Sequence, residues 1–391
     1  MTGTDAVDVV VVGGGIVGLA TAHRLAEARP DLRITVLEKE ASVGRHQSSH
    51  NSGVLHAGLY YAPGSRKAEL CRRGKAAVEA FAEAHDIPVV RNGKLVVAVD
   101  ERELPALAAL TERAEANGVP ELRTLDRDEL REIEPHVAGV RALHSPTTGV
   151  VDFGLVCDAL AGDLDVRTGT GVADLVETTV GRVRVTTTSE EIEARAVVVC
   201  AGLWSSQLAK RAGLVTDVQI VPFRGTWLAL RPSGADLVRG NIYPVPDPEL
   251  PFLGVHFTRR VDGSVWSGPN AVLSLAERSV VRDALRFSGL WRLGLREARV
   301  AAREFRLSHW HRAALRELNR YVPELQHDDI DWSNRPSGVR AQAVRRDGSL
   351  VDDFVIEGDG RVVWVLNAPS PAATASLAIG EVLAGEALTR L

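Results

Sequence analysis

Cysteine is scarce in this 391-residue chain: Cys71, Cys157 and Cys200 stand far apart, odd in number and without C-x-x-C spacing. The pattern excludes a disulfide framework and a zinc site, and it fits reduced thiols buried as small hydrophobes in a cytoplasmic protein. No apolar run reaches the roughly 18 to 20 residues that a membrane span requires. Asp5 and Asp8 stand where a basic leader would be and glycine fills the apolar stretch behind them, so no secretory signal is expected. Positive charge is not in excess either. The 46 Lys and Arg face 51 Asp and Glu for a formal net charge of −5, so bulk electrostatics does not favour a nucleic acid partner. His46 and His50 have i, i+4 spacing, but without a third acidic ligand or a zinc motif no metal site is expected. There is no internal repeat and no low-complexity tract.

What is present is ordinary globular material, 45% hydrophobic and 25% charged, in a chain longer than one domain of about 100 to 200 residues, so two lobes are expected. Val7 to Val12 is a continuous β-branched run, the pattern of a central parallel strand buried on both faces. A glycine turn follows, then an apolar-periodic helix through about Glu27, and Ile34 to Leu37 reads as a second buried strand ending on Glu38. Further strands are expected over Val89–Val99, Val166–Val176, Arg182–Thr188, Ala196–Cys200 and Val362–Leu366. Helices are expected from Leu104 to Asn117 and from Ala372 to Leu388. Between about 216 and 334 short strands and turns predict an antiparallel sheet with helices. The fold class is therefore α/β: a Rossmann-like domain of the glutathione-reductase type over 1–88, 150–215 and 335–391, and a second, mainly antiparallel β-sheet substrate domain over 89–149 and 216–334.

Gly13-x-Gly15-x-x-Gly18 between strand and helix is a dinucleotide signature. The first glycine permits the turn, the second lets backbone approach a pyrophosphate, and the third lets helix and strand pack closely, with Ile16 and Val17 opening the helix at the phosphates. Glu38, 20 residues beyond Gly18, stands where a carboxylate accepts from ribose hydroxyls. Gly44 to Gly58 is a polar loop carrying Arg45, Ser48, Ser49, Asn51 and Ser52, suited to wrapping FAD rather than continuing into further βαβ units. Ala201-Gly202 and the stretch Asn367-Ala368-Pro369-Ser370 are two more places for backbone to approach a flavin.

The chain resembles the L-2-hydroxyglutarate oxidase/dehydrogenase family, within the FAD-dependent oxidoreductases of the D-amino-acid oxidase and glycine oxidase superfamily. The resemblance rests on His50 through Ser65, Asn241 through Pro248, Pro251 through Thr258, Gly268 through Leu273 and Asn367 through Ser376. It departs where the family has an acidic residue and a tyrosine after Phe-Arg-Gly and this chain has Thr226, Trp227 and Leu228. It departs again at Ser274 to Ser279, where the family carries a basic segment.

The resemblance implies non-covalent FAD, with Lys39, Val172, Trp204, Ala372, Ala373 and Thr374 joining the cofactor contacts and a helix starting near Ser370 and Pro371 facing the reduced flavin. It implies oxidation of a small-molecule 2-hydroxy acid by hydride transfer from C2 to flavin N5, with oxygen or a quinone as electron acceptor. Peripheral attachment at the inner face of the membrane would accompany a quinone. An imidazole suits the proton-abstracting base, and His56 and His256 are the candidates. Tyr60, Tyr61, Arg224, His256, Arg340 and Asn367 are candidate substrate contacts, because a carboxylate needs cations or paired donors. Two alternatives stay open from the residues alone: oxidation of an amine or amino acid, and a flavin electron-carrier subunit without turnover of its own.

Overall fold

The computed structural model describes residues 7–247 and 254–391; Asp5, Pro248 and the stretch Pro251 to Leu253 lie outside them. The opening strand β1 (Val7–Val12) is buried along nearly its whole length, and α1 (Ile16–Ala28) carries the chain back to β2 (Ile34–Leu37), which pairs parallel to β1. Asp165–Arg167 extends the sheet parallel to β2. On the other side β1 pairs in parallel with Glu191–Val199. That strand uses its far edge twice, first against the antiparallel Val183–Thr187 and then against the parallel Val362–Asn367. The carboxyl ends of β1, Glu191–Val199 and Val362–Asn367 consequently open at one place, where open parallel sheets bind ligands.

Two of the glycines make this junction possible. Gly13 has φ +110° and a Cβ there would meet the Cys200 carbonyl oxygen at 2.4 Å; a Cβ on Gly18 would meet the Gly13 oxygen at 2.0 Å. The helix can thus start directly against the strand end. One face of the sheet is covered by α1 with Phe153–Ala161 and Ser376–Leu388, and Leu19, Leu25, Val36, Val156 and Leu383 form a core with no solvent exposure.

A second eight-stranded sheet is built from residues 94–145 and 228–331. Its pairs are antiparallel except one, Lys94–Ala98 against Asn241–Pro244, which run parallel. Val218–Thr226 and Ser337–Arg345 form a long antiparallel ribbon beside it.

Several expected elements are shorter or divided. Val89–Val99 separates into Val89–Val90 and Lys94–Ala98, which join different sheets. Val166–Val176 separates at Gly169 and Gly171, where the chain turns back to hydrogen-bond Glu38 and Glu40. The last helix begins at Ser376, not near Ser370, because the Pro369 and Pro371 carbonyls accept from Ala372 and Ala375 and close separate turns first.

Candidate active site

A cavity of about 840 Å³ runs from the glycine turn, past the polar loop, to the start of the ribbon strand Ser337–Arg345. That is at the upper end for small-molecule sites, about 300–1,000 Å³. At the first end Gly13, Gly15, Ile16, Val17, Glu38 and Lys39 line the wall. Glu38 is buried; one carboxylate oxygen accepts from Gly14 N–H at 2.7 Å and the other from Glu40 N–H at 2.8 Å. Ser48 Oγ accepts from Ile16 N–H at 2.9 Å and so caps the opening of α1. Trp204 is held by Lys39, whose Nζ lies 4.0 Å from its ring centre, and edge-on by His46 at 5.0 Å. Arg45, Asn51, Ser52, Val172, Ala201, Gly202, Ser370, Ala372, Ala373 and Thr374 also line the cavity.

The other end gathers the candidate catalytic histidines, His56 and His256. His56 is fixed through its backbone: its N–H donates to Thr374 Oγ1 at 3.1 Å, and Cys71 Sγ donates to its carbonyl at 3.3 Å. Burial, then the charges of Lys94, His256 and Lys67, hold its imidazole well below the usual histidine range. In His256, Nδ1 lies 2.9 Å from the Gly254 carbonyl. A carbonyl can only accept, so Nδ1 carries the proton and Nε2 keeps its lone pair. Burial pushes this histidine down to about 3, with Lys94 and Arg340 adding to the effect against the Gly254 hydrogen bond. Its ring stacks on Tyr243, centre to centre 4.0 Å.

Behind these rings sits Lys94, 1% exposed, its Nζ 4.0 Å from the Tyr243 ring centre and 5.3 Å from that of Tyr60, with no hydrogen-bond partner. Burial lowers this ammonium to about 7. Lys67 Nζ donates to the carbonyl and a carboxylate oxygen of exposed Asp352. Tyr60, Tyr61, Arg340 and Asn367 line the wall here. The Asn367 amide donates to the carbonyls of Val351 and Asp353, which fixes its orientation and leaves its buried Oδ1 without a partner.

Three of the expected site residues stand apart from the cavity lining. Arg224 is exposed: Arg340 is the register partner of its neighbour Phe223, so the pleat sends Arg224 to the opposite face. Gly18 acts within the strand–helix junction, and Ser49 Oγ donates to the Gly44 carbonyl at 2.7 Å, fixing the loop on itself. Asn51 does line the cavity, but its amide is spent on the Gln47 and Ser48 carbonyls and its oxygen on Gly53 N–H.

The model of the FAD-dependent oxidoreductase family DAO matches residues 8–386. This chain belongs to that family. It is 45% identical over 98% of its length to a mitochondrial L-2-hydroxyglutarate dehydrogenase of Nematostella vectensis, covering 91% of that protein. It is 40% identical over 98% of its length to the L-2-hydroxyglutarate dehydrogenase of an Escherichia coli strain, covering 94% of it. Among solved structures, the FAD-bound, dithionite-reduced L-α-glycerophosphate oxidase of Mycoplasma pneumoniae superposes with a TM-score of 0.78 at 22% identity, covering 99% of this chain and 95% of that one; at that identity the likeness concerns the fold.

The cavity of this family member fits FAD on its own residues. The glycine turn leaves no room for a Cβ at Gly13 or Gly18, while at Gly15 the nearest obstacle is only the Ser48 hydroxyl at 3.3 Å. Glu38 stands beside the turn with its carboxylate buried. Sequence reasoning missed Lys94, which lies in a run that reads as plain strand, Tyr243, inside the matched stretch Asn241 through Pro248, and Lys67, in an ordinary amphipathic helix. It treated Trp227 as a departure that could supply an apolar wall to the substrate. Trp227 lines the cavity, with its indole N–H buried and unpartnered.

Proposed function

We propose that the protein oxidises L-2-hydroxyglutarate to the 2-oxo acid, using FAD held by hydrogen bonds and packing without a covalent bond. The observation that carries the reading is the end of the cavity where Lys67 and Arg340 line the wall with His56, His256, Tyr60, Tyr61 and Tyr243, and Lys94 stands behind the rings of Tyr60 and Tyr243. A dianion of five carbons needs both carboxylates compensated wherever they are buried, because an uncompensated buried charge costs several kcal/mol. An ammonium substrate would meet the wrong sign there. The names of the close relatives agree with this reading.

Bound FAD supplies the acceptor for the hydride that leaves C2. Everything else falls to the chain. His56, neutral because burial and neighbouring cations disfavour its charged form, takes the hydroxyl proton, and its doubly anchored backbone keeps the ring in place. His256 Nε2 accepts a hydrogen bond that orients the same hydroxyl. Arg340 and Tyr61 hold one carboxylate, and the field of Lys94 behind Tyr60 and Tyr243 favours the second. We assign FAD binding to 1–88, 150–215 and 335–391 and substrate binding to 89–149 and 216–334. The pairing of Ser337–Arg345 with Val218–Thr226 supports a tight join between the two.

His56→Ala should stay yellow, release its FAD on acid denaturation, and lose anaerobic flavin reduction by L-2-hydroxyglutarate about 10² to 10⁴-fold. Reduction at the parental rate would remove His56 as the base. Flavin remaining on the precipitated chain would contradict non-covalent binding.

A further inference from the structure

In the ribbon formed by Val218–Thr226 and Ser337–Arg345, directly opposite residues share a face: Phe223 with Arg340, and Gly225 with Gly338. Alternation along the strand puts Trp227, two residues beyond Gly225, on that same face. Trp227, Gly338 and Arg340 all line the cavity. The Trp227 backbone N–H donates to the Pro336 carbonyl at 2.8 Å, which carries the ribbon one residue past the strand. Between the two large side chains the ribbon has only glycine, because other groups fill that space. A Cβ on Gly338 would meet the His50 carbonyl oxygen at 2.3 Å, and one on Gly225 would meet Pro269 Cβ at 3.1 Å. Gly268 makes room for the indole itself: a Cβ there would meet Trp227 Cδ1, the ring carbon bonded to Nε1, at 3.4 Å. Gly268 is also the register partner of His256, so the N–H edge of the indole stands beside the strand pair that carries this histidine.

Trp227 is 5% exposed, and its indole N–H is buried with no hydrogen-bond partner among the described residues. A buried donor is costly to leave unmade. An indole N–H only donates, so the partner it lacks is an acceptor. The substrate end of the cavity calls for such a donor. Arg340 and Tyr61 take one carboxylate, whereas Lys94 stands behind the rings of Tyr60 and Tyr243 and reaches the second only through its field. Phe223, the register partner of Arg340, precedes Trp227 by four residues, about 13 Å of strand. The guanidinium and the indole therefore suit opposite ends of an extended dianion rather than a single carboxylate.

We propose that Trp227 is a specificity-determining residue whose indole Nε1–H donates to the substrate carboxylate remote from the reacting carbon, while Arg340 and Tyr61 hold the near one. The inference rests on the L-2-hydroxyglutarate reading and adds the group that reads the second charge. Trp227→Phe keeps an apolar ring and removes the donor. Replacing Trp227 by its benzothiophene analogue, with sulfur in place of N–H, keeps the two-ring shape as well. Each FAD-loaded protein is compared with the parent by anaerobic flavin reduction with L-2-hydroxyglutarate and with L-2-hydroxybutyrate, which lacks only the remote carboxylate. Titration with glutarate and with butanoate, read from the flavin spectrum, gives the same comparison for binding alone. In both variants the preference for L-2-hydroxyglutarate over L-2-hydroxybutyrate should fall about 10- to 100-fold, the size of a hydrogen bond to a charged group. The advantage of glutarate over butanoate should shrink with it. A parental preference in either variant would overturn the proposal and leave Trp227 as an apolar wall. A parent enzyme without that preference would overturn the substrate reading itself, and this inference with it.

Discussion

Lys94 is the residue whose state is most at odds with stability. Its ammonium has two tyrosine faces and no carboxylate, hydroxyl or carbonyl partner. Burial lowers it to about 7 from an ordinary lysine value of 10.5. Between those values the unfolded chain binds a proton that the folded chain does not, so this group makes the protein less stable toward pH 7 and relieves that penalty as pH rises to about 10.5. Lys94→Met should therefore stabilise the fold by about 1 to 4 kcal/mol near neutral pH. It should also flatten stability against pH across that window while raising KM for L-2-hydroxyglutarate. Chemical denaturation at several pH values and steady-state kinetics check the two halves. A destabilised variant with unchanged KM would mean that Lys94 serves packing alone. Nothing local in the sequence marks such a residue: Lys94 opens a run that reads as strand, and only the distant Tyr60 and Tyr243 make its site. Arg224 shows the converse, since a matched stretch drew attention to a side chain that pleating sends to solvent.

At the level of elements, legibility followed sequence distance. The β1–α1–β2 unit was readable because glycines, β-branched runs and Glu38 fall within about 30 residues, the span of one βαβ unit. The parallel pairing of Lys94–Ala98 with Asn241–Pro244 joins strands more than a hundred residues apart, and no local period encodes such a neighbour. The late start of the final helix was hidden for another reason. Thr374 bridges Val54 and His56 through its hydroxyl, so the chain before Ser376 is shaped by the loop it touches rather than by helix propensity. The junction at the glycine turn admits a direct test. Gly18→Ala places a Cβ about 2.0 Å from the Gly13 oxygen, and since backbone cannot yield there, a loss of about 1 to 3 kcal/mol or more is expected, with most of the bound flavin gone. Thermal unfolding and the ratio of flavin to protein absorbance report both. A variant as yellow and as stable as its parent would show that the turn is looser than described.

The whole molecule joins an eight-stranded sheet with parallel strands at its centre, whose strand ends open on the cavity, to a second, mostly antiparallel eight-stranded sheet that brings His256, Tyr243 and Lys94 to the cavity's far end. Bulk charge gave no hint of an anionic substrate, because a net charge of −5 says nothing of Lys67 and Arg340, which line one end of the cavity. The central claim is that this local charge, acting beside two neutral histidines, selects a dicarboxylate 2-hydroxy acid of L configuration. It is tested most directly by the rate of anaerobic flavin bleaching with L-2-hydroxyglutarate, D-2-hydroxyglutarate, L-lactate, glycine, sarcosine and D-alanine, measured side by side on the same FAD-loaded enzyme. L-2-hydroxyglutarate should reduce the flavin fastest, L-lactate should lag because one carboxylate contact stays empty, and the D-enantiomer and the amines should leave the colour unchanged. Faster bleaching by any of the amines, or by L-lactate, would contradict the account.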